Sequence, residues 1–260
     1  MIDLHNHILP SLDDGAHDLA ESVEIAVRFV DEGVAAVAAT PHLDPLHNRG
    51  ASPGQIAAAL EAVRTELASR GIDLRVHPGQ EVFLTPGIVE LMRSGSALPL
   101  GHSRYVLVEL SLVALERPLY LEDALFRLQR AEYRPILAHP ERYPFVQRDP
   151  DAARELASRG IALQLTAPAL LGEYGSRVRR TAERLLRSGA YALAASDRHH
   201  PGHGRSLSTL RSRLEDAFEP ELGELLLVTN PGRVLDDQPL TPPDPIPARG
   251  GSALARLFRR

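Results

Sequence analysis

Cysteine is absent from the 260 residues. That excludes disulfides, thiolate metal sites and every mechanism with a cysteine nucleophile. Lysine is absent as well, so the 29 basic residues are all arginine. Schiff-base lysines and the lysine of a P-loop are thereby excluded. No uninterrupted apolar run approaches the roughly 18 residues that a membrane span needs. The opening Met1-Ile2-Asp3-Leu4-His5 lacks the basic-then-apolar order of a secretory signal, which predicts a cytoplasmic protein. Positive charge is not in excess either: 34 acidic residues leave a net charge of −5, which argues against a large nucleic-acid-binding face. At 43% hydrophobic and 24% charged, the composition is that of a soluble globular chain with core enough for one large barrel or two small domains. Histidine, with 11 copies, is what the chain has in plenty.

Short apolar runs alternate with helix-like stretches along the chain. The runs are 1–7, 34–40, 74–76, 105–110, 135–138, 161–165 and 191–195, with a last one at 225–228. Between them, Val23, Ala26, Val27 and Val30 recur at helical spacing over 18–32, closed by Gly33. Further helices are predicted at about 55–70, 120–131, 150–160, 176–187 and 206–217. Runs apolar on both faces and separated by helices imply a parallel sheet. Seven or eight such units predict an α/β fold, a closed or nearly closed TIM-like barrel, although an open doubly wound sheet fits the same pattern. Residues 1–235 read as one domain. From Asp236 to Arg249 five prolines predict an extended, flexible tail, ending in Leu254, Leu257 and Phe258 among arginines. That end is either frayed or a short basic amphipathic contact for a membrane or a partner.

A ligand-type residue stands at or just beyond the C-terminal end of nearly every run: His5 and His7, His42, Glu81, Glu109, His139, then Asp197 and His199. In a parallel barrel those ends form one face, where active sites lie. His5 and His7 project to the same side of a strand because side chains alternate. Any one of these histidines alone is more often a solvated or hydrogen-bonded residue. Glu109 is sharper, because a carboxylate inside Val106-Leu107-Val108-Glu109-Leu110 needs a cationic partner. Asp14, in the first loop, is a ninth candidate, with turn formation as its ordinary role. Nine ligands exceed the needs of one ion and suit two or three, as in multi-metal phosphoester hydrolysis. Nitrogen and oxygen donors without sulfur are compatible with manganese, iron or zinc. His17, His47, His77, His102, His200 and His203 fall in loops or beside turns and read as solvated.

At these residues the chain resembles the PHP superfamily, named for polymerase and histidinol phosphatase. Within it the chain is similar to the bacterial manganese-dependent tyrosine-protein phosphatases of capsule and exopolysaccharide loci. The likeness spans about 1–235. It rests on Met1-Ile2-Asp3-Leu4-His5-Asn6-His7, Leu12-Asp13-Asp14-Gly15, Ala39-Thr40-Pro41-His42, Gly79-Gln80-Glu81, Val108-Glu109-Leu110, Ala138-His139-Pro140-Glu141-Arg142-Tyr143, Leu170-Leu171-Gly172 and Ala195-Ser196-Asp197-Arg198-His199. The resemblance implies a distorted (β/α)7 barrel and a trinuclear site. His5, His7, Glu81 and Asp197 would hold one ion; Glu81 as a bridge, Glu109 and His139 a second; Asp14, His42 and His199 a third. It further implies that Arg142, and Arg205 in Gly202-His203-Gly204-Arg205, bind the substrate phosphate. The implied substrate is the phosphotyrosine segment of a polysaccharide-assembly kinase. The rival readings are a histidinol-phosphate or other small-phosphoester hydrolase, an amidohydrolase, and a non-catalytic module that binds a phosphorylated partner. Absence of lysine removes the amidohydrolases that bridge their metals with a carboxylated lysine.

Overall fold

Strand β1 (Ile2–Asn6) and helix α1 (Leu19–Asp31) open the chain in a computed structural model that describes residues 1–202 and 206–247. Helix α1 starts where Asp18 accepts from the amide of Glu21 at 2.9 Å, and it buries Val23, Ile25, Ala26 and Phe29 against the sheet. Strands β2 (Ala36–Ala39) and β3 (His42–Asp44) follow, separated by a bend at Thr40-Pro41. A short strand β4 (Arg49–Gly50) turns back on β3, a hairpin not expected from the sequence. Next come α2 (Pro53–Ser69), β5 (Arg75–His77), β6 (Glu81–Phe83), α3 (Ile88–Arg93), β7 (Tyr105–Glu109), α4 (Leu121–Arg130) and β8 (Arg134–Ala138). After a single turn at Pro140–Arg142 the chain runs through α5 (Pro144–Arg148), α6 (Asp151–Ser158), β9 (Ala162–Thr166), α7 (Ala167–Leu171), α8 (Gly175–Arg187), β10 (Leu193–Ala195) and α9 (Leu207–Ala217).

Two sheets result. One is β1-β2-β5; the other is β10-β9-β8-β7-β6-β3-β4, parallel throughout except for β4. They are joined on both sides. β2 and β5 pair with each other and continue, past their bends, into β3 and β6, which also pair. On the other side, the Asp197 amide donates to the His5 carbonyl at 2.9 Å and the His7 amide to the Arg198 carbonyl at 2.8 Å. Counting β2/β3 and β5/β6 as bent single strands gives a ring of seven, the distorted barrel implied by the resemblance.

Two departures from the expected elements have local causes. Glu81 does not end the run at 74–76; it opens β6 beyond the Pro78-Gly79 bend. Proline cannot donate to a ladder, and a Cβ on Gly79 would lie 3.0 Å from Leu100 Cδ2 and 3.2 Å from the Ala39 carbonyl oxygen. The apolar run at 225–228 is not a strand. It is a wide helical turn (Leu225–Thr229) between α10 (Leu222–Glu224) and α11 (Asn230–Leu235). Leu222, Leu226, Leu227, Asn230 and Val234 are buried there at helical rather than alternating spacing.

Leu4, Ala38, Tyr105, Leu107, Ile136, Ala138 and Leu193 fill the barrel interior, and Leu100, Val234, Leu235 and Leu240 pack with them. A larger apolar layer lies between the strands and the helices. The segment 236–247 has no helix or strand. It is bonded where β7 begins, because Asp237 accepts from the Arg104 amide at 3.0 Å and Tyr105 donates its hydroxyl to the Gln238 carbonyl at 2.7 Å. That is the end of the barrel opposite the metal-type ligands.

Candidate metal centre

The register of β1 slips by one residue between Asp3, opposite Val37, and Asn6, opposite Ala39. Without the slip, Leu4 and His5 would face opposite ways. With it, Leu4 packs in the barrel interior while His5, the next residue, still reaches the Gln164 side chain and Glu81 at the mouth. His7 follows on the same side. His42 begins β3 in register with Glu81 of β6, Glu109 ends β7, His139 comes directly after β8, and Asp197 comes two residues after β10. Both of the latter sit in the left-handed region, at φ 35° and 55°, where a residue with a Cβ is held only under constraint.

All nine predicted ligands meet at this mouth. Glu81 is central: its Oε2 lies 3.1 Å from His5 Nε2, 3.1 Å from His42 Nδ1 and 3.7 Å from His7 Nε2, and its Oε1 lies 3.0 Å from His139 Nε2. Asp197 Oδ1 is 3.3 Å from His5 Nε2 and 3.6 Å from His7 Nε2. Glu109 Oε1 is 3.0 Å from His42 Nδ1. Asp14 Oδ1 stands 3.5 Å from both His42 Nε2 and His199 Nε2, and the rings of His7 and His199 stack at 3.8 Å. Ligand atoms within 4.8 Å of one another form overlapping groups: His7, Asp14, His42 and His199; His5, His7 and Glu81; His5, His139 and Asp197; His42, Glu81 and Glu109. His42 thus stands with Glu81 and Glu109, and His139 with His5 and Asp197.

Whether these residues fit cations is answered by their unsatisfied atoms. His5 Nε2, His7 Nε2, His42 Nδ1, Glu81 Oε2 and His139 Nδ1 are buried and make no hydrogen bond. Each such group costs about 1–3 kcal/mol unless something replaces water around it. The first three of these atoms lie within 3.7 Å of Glu81 Oε2, so cations would satisfy these four atoms together. The charges tell the same story. Burial opposes protonation of His5, yet Glu81 and Asp197 raise its pKa to about 10. Burial is likewise outweighed at His42, which Glu109 and Glu81 raise to about 12. Burial lowers His199 to about 4, with the neighbouring His7 adding to the effect. Burial and the charge of Glu81 together raise Glu109.

Two residues not singled out as site residues hold the imidazoles. Asp13 Oδ2 accepts from His7 Nδ1 at 2.7 Å and from the His42 amide at 3.0 Å. Gln164 Oε1 accepts from His5 Nδ1 at 2.8 Å. Each leaves the Nε2 of its histidine directed at the carboxylates. The Asp13-Asp14 doublet and a glutamine inside the apolar run 161–165 were their signals in the sequence. Gly15 lets the first loop close on β1: a Cβ there would lie 2.2 Å from the His7 carbonyl oxygen.

Arg142 borders the centre. Its Nη1 donates to Asp197 Oδ2 at 2.8 Å, and its guanidinium lies over the Tyr174 ring, 4.6 Å from the centroid. Arg205 and His203 lie outside the described residues. A cleft of about 360 Å³ lined by Leu12, Asp13, Asp14, His42, Arg49 and Glu109 borders the cluster. It opens on solvent, since the Asp14 side chain is 70% exposed and that of His42 31%.

The whole barrel has known relatives. Residues 1–236 match the family described as capsular polysaccharide synthesis, CpsB/CapC. The chain is 33% identical to the tyrosine-protein phosphatase YwqE of Bacillus subtilis, over 96% of this chain and 98% of that one. It is 25% identical to the tyrosine-protein phosphatase CpsB of Streptococcus pneumoniae, over 92% and 99%. A solved structure from work on YwqE and CpsB, described as unique metal-dependent tyrosine phosphatases, superposes with a TM-score of 0.85 at 32% identity, covering 95% of this chain and all of that one. An organophosphorus hydrolase from Deinococcus radiodurans, at 16% identity and a TM-score of 0.54, covers 90% of this chain and 92% of its own, and shares the fold alone. The chain belongs to the CpsB/CapC family.

Proposed function

We propose that this chain is a metal-dependent tyrosine-protein phosphatase. His5, His7, Asp14, His42, Glu81, Glu109, His139, Asp197 and His199 would hold up to three ions, manganese foremost. Such ions, when bound, bring water to a reactive pKa and neutralise charge on a phosphoryl group. The observation that carries the reading is the convergence of four buried, unsatisfied ligand atoms, His5 Nε2, His7 Nε2, His42 Nδ1 and Glu81 Oε2, beside a guanidinium.

The residues divide the work. Asp13 and Gln164 fix the tautomers of His7 and His5, so that their Nε2 atoms face the carboxylates. Arg142 gives one N–H to Asp197 and keeps further donors for the equatorial oxygens of a phosphate, where charge must be stabilised in the transition state. Stacking on Tyr174 orients that guanidinium. Arg205 is proposed for the same task. The leaving phenolate, whose conjugate acid has a pKa of about 10, departs more readily than an alkoxide. With no cysteine, the cysteinyl-phosphate route is closed.

The open cleft supports a protein segment as the substrate, which on this reading is the phosphotyrosine-bearing part of a kinase of polysaccharide assembly met in the cytoplasm. Turnover of a phosphotyrosine peptide against histidinol phosphate, on manganese-loaded protein, tests the proposal. The peptide is expected to be preferred, with activity lost to a chelator and restored by manganese. Preference for histidinol phosphate would replace this reading with a small-phosphoester hydrolase.

A further inference from the structure

Outside the nine ligands, His17, Glu21 and His200 bring ligand atoms within 4.8 Å of one another. Glu21 is fixed in the first turn of α1, where its Oε2 accepts from the His17 amide at 2.7 Å. Its Oε1 is left facing His200, 3.2 Å from Nδ1, and the rings of His17 and His200 lie 5.2 Å apart. His200 is held by its own loop: Arg198, two residues before it, pairs with Glu32 near the far end of α1, and the other Glu32 oxygen accepts from the Leu207 amide at 2.7 Å. Both strands of the triad therefore hang from the same helix.

We infer that His17, Glu21 and His200 form a separate surface site for one divalent ion of the zinc, cobalt or nickel type. A tetrahedral ion with bonds of about 2.1 Å sets its ligand atoms roughly 3.4 Å apart, close to the separation of His200 and Glu21. Two imidazoles and a single carboxylate favour those ions over magnesium or calcium, which take oxygen. All three side chains reach solvent, so the remaining coordination position is open and the ion exchangeable. The ion clasps the loop before α1 to the loop after β10. Those loops also carry Asp14 and His199, so the clasp steadies one edge of the main centre. The inference does not depend on the reaction proposed above.

The test uses the full chain, stripped with chelator and dialysed against zinc alone. Metal analysis is expected to find one zinc fewer per chain in His17→Ala than in the unaltered protein. His5→Ala is expected to lose zinc from the main centre and keep the clasp ion. Crystals of the unaltered protein grown with zinc should show anomalous density between His17, Glu21 and His200. Equal zinc counts in the unaltered protein and His17→Ala, or density at the His5–Glu81 centre with none at the triad, would overturn the inference.

Discussion

An imidazole binds a cation only when the correct nitrogen is free and aimed, and the second nitrogen decides that. His5 has Gln164 for this and His7 has Asp13. Gln164→Ala should therefore weaken metal binding by about 10- to 100-fold while the fold persists. Equilibrium dialysis with metal analysis measures the affinity, and an unchanged value would make Gln164 a packing residue only. Metal uptake should also expel protons. In the metal-free protein the carboxylates raise His5 to about 10 and His42 to about 12, so both are protonated at neutral pH and must lose those protons to bind. Affinity then rises with pH and falls in acid. Calorimetry in buffers of different ionisation enthalpy counts the protons released, and a count of zero would contradict this. Most of the ligands were legible because they interrupt an apolar run or follow closely on its end. Gln164 stands out inside an apolar run, but its role was not legible, since that depends on a histidine 159 positions away.

Elements place these groups by small irregularities. The slip in β1 sends both Leu4 and His5 inward, which strict alternation forbids. The first loop presses on His7 through Gly15, with no room for a methyl group. Gly15→Ala should destabilise the protein by about 1–3 kcal/mol and displace His7 from its partners. Denaturant unfolding and metal affinity should fall together; a loss of stability with metal binding intact would separate the turn from the centre. Most strands and helices could be read from periodicity. The bend that gives Glu81 its own strand could not, because a three-residue strand has too little pattern to announce itself. The run 225–228 misled for the opposite reason: four consecutive apolar residues fit a strand or a buried helix, and only the burial of Leu222 and Val234 at helical spacing distinguishes them.

At the scale of the molecule, the barrel is open to ligands at one end and strapped at the other. Asp237 holds the strap by accepting from the Arg104 amide and from Arg104 Nε at 2.8 Å. These bonds outweigh partial burial and keep its carboxyl below the usual range. A depressed folded-state pKa brings stability that is present above the unfolded value of 3.8 and is lost as pH falls through the folded one. The pair is exposed, so Asp237→Ala should cost about 1 kcal/mol or less at neutral pH and progressively less in acid. Thermal unfolding across pH checks both magnitude and direction; a constant difference from pH 7 to 2 would remove the charge from the explanation. The alternation of buried runs with helices, the donor types and their order along the chain were determined by the sequence alone, because burial and residue chemistry leave a local imprint. Ring closure at Asp197 and His5, the inward turn of successive residues in β1, and the choice of which side chain orients which imidazole were decided by tertiary structure. Those depend on bonds between separate segments, such as Asp197 with His5, Asp3 of β1 with Val37 of β2, and His5 with Gln164, and no local pattern encodes a partner that only the folded ring brings near.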